Sequence, residues 1–127
     1  MDTLRNLPTD APANLASLID IREGRVVSMS LSKSDTCQIM LMAFGSGESV
    51  SEEIYFGDTL YTVLEGEMPL FIGNAKYLLK TGDSLMIPSG TSHAIGGAGG
   101  FKLLQMTLQK EIYTFKAFYP RRILQWN

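Results

Sequence analysis

From residue 25 onward the chain is a succession of short β-favouring segments, and none is longer than nine residues. They cover 25–31, 36–44, 59–65, 68–72, 75–79, 84–87, 101–108 and 111–118, bounded mostly by Gly, Ser, Asp or Pro. No stretch carries the period of a long amphipathic helix. Strands this short, recurring every ~8–12 residues, bury their apolar faces only by curling into a barrel or pairing as a sandwich. The chain is therefore predicted to be all-β.

The punctuation supports this. Gly73-Asn74 reads as a two-residue hairpin loop, because positive φ is cheap for Gly and tolerable for Asn. Residues 80–83 form another tight reversal. Pro69 implies an edge position or a strand start, since proline cannot donate to a ladder. The glycine-rich patch 96–100 precedes a β-rich segment rather than a helix, which favours a flexible connection over a phosphate cradle. Before residue 25, Pro8 and Pro12 break the chain, and 13–20 allows at most a short helix. Residues 1–24 are expected to form an arm packing on the barrel, and 25–127 the barrel domain.

At 127 residues the chain supports one apolar core. A net charge of −2 with scattered basic residues excludes a phosphate-binding surface, so no nucleic-acid partner is expected. Cys37 is the one cysteine; it has no disulfide partner and lies in an apolar run, as a buried inert thiol does. There is no secretory leader pattern and no apolar run of membrane-spanning length. These features predict a cytoplasmic protein with no membrane partner.

Two spaced motifs carry the chemistry. The first places Gly47, five residues, Glu53-x-Tyr55, three residues, Thr59, six residues and Gly66. The second places Gly82, five residues, Pro88-x-Gly90, two residues, His93, three residues and Gly97. Together they resemble the paired motifs of the cupin superfamily, which implies a jelly-roll β-barrel. The resemblance also shows a departure. Metal-binding cupins usually present three histidines and one glutamate, whereas these positions hold Glu53, Tyr55, Thr59 and His93. Of those four positions only His93 keeps its usual residue.

Period-two alternation puts Glu53 and Tyr55 on one strand face, and the resemblance turns that face inward towards Thr59 and His93. Asp58 should point the other way, unless a bulge at Gly57 intervenes. Tyr61 and Val63, in phase with Thr59, extend the lining, with Met40, Met42 or Met86 opposite. Glu53, Tyr55, Thr59, Tyr61 and His93 are thus the expected ligand-binding residues. No metal ligand, catalytic residue or cofactor is assigned. Glu53 and His93 are expected to pair, which would raise the imidazole pKa.

The function that follows is a small-molecule-binding barrel taking a polar or partly apolar ligand. Its rival is a metal-dependent dioxygenase or isomerase using Glu53, Tyr55 and His93. A third reading is a purely structural dimer. The aromatic tail (Tyr113, Phe115, Phe118, Tyr119, Trp126) calls for core cover or a partner surface, so a homodimer is expected.

Overall fold

In residues 38–44 alternate side chains must take opposite faces, yet nearly all are apolar. Such a strand is stable only when both faces are covered. The computed structural model, which describes residues 3–109, supplies both covers. Its strands are β1 (Val26–Lys33), β2 (Cys37–Phe44), β3 (Ser49–Glu53), β4 (Asp58–Glu65) and β5 (Glu67–Ile72). They continue with β6 (Ala75–Lys80), β7 (Ser84–Ile87), β8 (His93–Gly96) and β9 (Phe101–Leu108).

The strands make two sheets, ordered β1-β2-β9-β4-β7 and β3-β8-β5-β6. Every pairing is antiparallel. The inward residues of the first sheet, among them Phe44, Tyr61, Val63 and Leu103, pack against Met68, Leu70 and Ile95 of the second. Its outward residues, Leu31, Leu41 and Ala43, are covered by Leu7, Leu15, Leu18 and Ile19 of the arm. The all-β jelly-roll expected from the sequence is the fold observed.

The arm holds one 3-10 turn, Leu15–Leu18, capped where Asn14 Oδ1 accepts from Ala16 N at 2.9 Å. Lys102 Nζ donates to the Ala16 carbonyl at 2.7 Å and pairs with Glu65 at 3.3 Å, tying this turn to the sheet. At the sheet edge, Arg5 N donates to the Leu31 carbonyl at 2.9 Å, so the arm covers part of an edge strand. Among the described residues no helix is long and apolar enough to cross a membrane.

Two strands escaped the pattern of apolar segments, β3 and β8. β3 (Ser-Val-Ser-Glu-Glu) is mostly exposed and polar, and β8 is four residues ending in glycine, so neither shows a run of apolar residues. The hairpin signal holds: Ile72 pairs Ala75 across Gly73-Asn74, with Gly73 at φ 57° in the first loop position. Pro69 needs a finer account. β5 lies inside its sheet, but its pairing with β8 begins at Leu70, one residue past the proline. The glycine patch is a strand connection, tied down by Gly47 N to Ala98 O at 2.7 Å and Gly97 N to Glu48 O at 2.9 Å. The segment 111–118 and the aromatic tail lie outside the described residues.

Candidate functional site

β4 and β8 face each other across the space between the sheets, and that opposition builds the site. On β4, Thr59, Tyr61 and Val63 alternate inward and each is 1% exposed. On β8, His93 enters from the opposite side and is 3% exposed. Tyr61 hydroxyl donates to His93 Nε2 at 2.8 Å. On the far side of the ring, Nδ1–H donates to the Thr91 carbonyl at 2.9 Å. A carbonyl only accepts, so Nδ1 carries the hydrogen and Nε2 presents the lone pair that Tyr61 uses. Both ring nitrogens of the neutral imidazole are engaged.

The loop before β8 sets this geometry. Thr91 N donates to Pro88 O at 3.2 Å and Gly90, at φ 82°, turns the chain. Gly90 N then donates to Tyr55 O at 2.7 Å, which brings the first motif against the second. Asp58 points away, as alternation requires, and its Oδ1 accepts from Ser89 N at 3.0 Å to brace the same loop.

Glu53 reaches the site by a device absent from simple alternation. Val50 pairs Ile95 and Glu53 pairs His93, so β3 carries one more residue than β8 between those pairs. Glu52 takes φ 56° within this bulge. The bulge turns Glu53 to the face of Val50 and places it across from His93. Tyr55, 8% exposed, packs with Met40, and its ring centre lies 6.0 Å from that of His93. Its hydroxyl is 3.5 Å from Glu53 Oε1.

The electrostatics differ from the expected Glu53–His93 ion pair. Burial lowers the His93 pKa below its ordinary value, and the hydrogen bond to Thr91 only partly opposes this. The partner of the imidazole is the Tyr61 phenol. Burial holds Tyr61 well above its usual value, with Tyr55 and the Glu53 carboxylate adding to the rise. The dyad is therefore neutral at both ends, Tyr–OH to imidazole.

A pH dependence follows. A base whose folded pKa is depressed favours the native state above its unfolded value, about 6.5, and that stability is lost as pH falls through the folded value. Denaturant titrations at about pH 8 and about pH 5 should show the native chain losing stability on acidification, and His93→Gln should flatten that slope. An unchanged slope in His93→Gln would show that another group sets it.

Other expected lining residues fall out differently. Thr59 Oγ1 bonds Thr107 Oγ1 at 2.9 Å, so its hydroxyl already has a partner. Met40 is buried and Met42 half-buried on the inner face. Met86 is not a lining residue: it is 52% exposed, because Ile87 takes the inward position opposite Thr59 and sends its neighbour out. β9 adds two polar inward residues that motif reading missed, Gln105 and Thr107, each 2% exposed. Their signal was available, since both are in phase with the inward Phe101 and Leu103.

A family model described as "Cupin domain" matches residues 40–105. A solved cupin superfamily protein from Desulfitobacterium hafniense is 52% identical, with a TM-score of 0.81, over 84% of this chain and 98% of that one. A conserved Streptococcus pyogenes protein of unknown function is 21% identical, with a TM-score of 0.82, over 87% of this chain and 97% of that one. An RmlC-like cupin of double-stranded β-helix fold from Methanocaldococcus jannaschii is 15% identical, with a TM-score of 0.63, over 72% and 86%. The latter two likenesses concern the fold alone. No curated protein matches.

Proposed function

Since the chain belongs to the cupin domain family, we propose that its barrel binds a small, partly polar molecule without the metal centre common among cupins. The observation that carries this reading is the engagement of both His93 ring nitrogens. A metal would need the Nε2 lone pair that Tyr61 now occupies, or Nδ1 stripped of its hydrogen.

The remaining donors fit a metal no better. Thr59 is bonded to Thr107, and a tyrosine phenol such as that of Tyr55 ligates readily only where a strong Lewis acid displaces its proton. Among the described residues no three of His, Cys, Asp and Glu converge as a ligand set. Three good ligands are the usual minimum for a catalytic divalent ion. The side chains at the family's ligand positions therefore do not fit such a metal centre.

What the arrangement offers instead is a buried, uncharged polar layer beneath a carboxylate and a tyrosine. Around the closed Tyr61–His93 pair the layer holds hydroxyl and amide groups rather than ions, which suits orientation of a neutral polar ligand. A cytoplasmic location and a homodimeric assembly belong to the same proposal.

Metal content decides between binding module and metal enzyme. Protein purified from rich medium without chelator should hold well under one equivalent of transition metal by mass spectrometry. Added Zn²⁺, Mn²⁺, Fe²⁺ or Ni²⁺ should raise Tm little, because only a ligand of the native state stabilises it. Stoichiometric metal that is lost in both Glu53→Ala and His93→Ala would overturn the reading.

A further inference from the structure

The inner face of the five-stranded sheet changes character along its strands. At one end Phe44, Phe101, Leu103 and Val63 pack together. Further along, the register sets Met40, Gln105 and Tyr61 side by side, followed by Gln38, Thr107 and Thr59. All six of these are buried.

The hydrogen bonds nearest Gln105 are already closed among themselves. Tyr61 gives its hydrogen to His93 Nε2, and His93 gives its own to the Thr91 carbonyl. The Thr59 and Thr107 hydroxyls bond each other. Gln105 lies deeper than Gln38: it is 2% exposed, and its fully buried Nε2 has no hydrogen-bond partner among the described residues. An amide nitrogen carries two hydrogens and accepts none, and a buried donor left unmatched costs stability. A core glutamine in that state is suited to an acceptor that arrives from outside the fold.

We propose that Gln105 selects the ligand of the barrel, donating from Nε2 to the carbonyl oxygen of a small uncharged molecule. This rests on the barrel interior being a binding site. Charge decides between a neutral carbonyl and a carboxylate. The groups around the layer are a neutral phenol, a neutral imidazole, two hydroxyls and the Gln38 amide, with the Glu53 carboxylate 3.5 Å from the Tyr55 hydroxyl. Lys102, on the same strand as Gln105, points to the opposite face and is held by Glu65 and the Ala16 carbonyl. Arg5, whose guanidinium donates to Ser30 Oγ at 2.7 Å, is two strands away across Met40. Among the described residues, an anion at Gln105 would therefore lose its hydration without a cation beside it. A ketone, lactone or amide would satisfy the donor without that penalty.

The test uses the full chain labelled with nitrogen-15 and three probes of similar size. They are cyclohexanone, methylenecyclohexane, which replaces the oxygen by carbon, and cyclohexanecarboxylate. Cyclohexanone should shift the Gln105 side-chain amide and the His93 ring nitrogens saturably, and bind about tenfold or more tightly than the carboxylate. Gln105→Leu removes the orphan donor at similar volume, so its Tm should equal or exceed that of the native chain. It should weaken cyclohexanone about tenfold or more and leave methylenecyclohexane binding unchanged or tighter. Gln105→Met, equally free of a donor, should behave the same way.

Equal cyclohexanone affinity in all three proteins, with His93 still shifting, overturns the role of Gln105 while the binding site stands. Carboxylate binding as tight as the ketone overturns the uncharged class. If no probe moves His93 or Gln105, both this inference and the binding reading fail.

Discussion

Replacing Phe101 with alanine should lower the unfolding free energy by about 3–5 kcal/mol. Phe101 is fully buried, and its ring stacks on Phe44 with centroids 4.6 Å apart and planes 14° apart. The two residues are Cα partners across β2 and β9, so truncating one leaves a void under the other. The surroundings have little freedom to close it. A Cβ built on Gly66 would lie 3.1 Å from Phe101 Cα, which shows how tightly the neighbouring backbone already sits. Denaturant unfolding should show a lower midpoint with an unchanged slope, the signature of lost stability rather than altered compactness. A loss below about 1.5 kcal/mol would mean that this end of the barrel collapses onto the void. The same packing supports the site, because Phe101, Leu103 and Gln105 succeed one another along the inner face of β9.

Gly96→Ala should cost roughly 3 kcal/mol or more, combining backbone strain with a steric clash. Gly96 sits at φ 103°, where L side chains are rare, and an added Cβ would lie 2.7 Å from Ser49 Cα. Ser49 is its Cα partner on β3, so the clash is relieved only by prising β3 from β8. That is the pairing which carries Glu53 to His93. The variant should therefore combine lower stability with faster amide exchange along β3 and a shifted His93 ring signal. Gly97→Ala makes the control: at φ 91° it bears strain, but an added Cβ there meets nothing within 4 Å. It should cost about 1–2 kcal/mol and leave β3 protected. Equal losses in the two variants would show that strain alone, not the strand contact, sets the cost at Gly96.

Much of this molecule was legible in its residues because the relevant forces are local. Turn-forming residues at short intervals dictated many short strands, and the nearly continuous apolar run in 36–44 dictated a strand that must be covered on both faces. Gly73-Asn74 named its own hairpin. The resemblance to cupins implied that His93, Tyr55 and Glu53 share one neighbourhood, and alternation added Tyr61 in phase with Thr59.

Tertiary structure decided what those residues meet. The bulge around Glu52 is a response of β3 to its pairing with β8, and no periodicity in a polar five-residue strand announces it. The partner of His93 depends on the stacking of two sheets, a contact between residues 32 positions apart. Sequence reasoning paired the imidazole with the carboxylate because opposite charges attract. Burial reversed that outcome by penalising the charged ring, and a phenol at 2.8 Å satisfied it without charge. Gln105 shows the same division. Its inward phase could be read from the strand, whereas its lack of a partner depends on every neighbour that three-dimensional packing brings to it, or withholds.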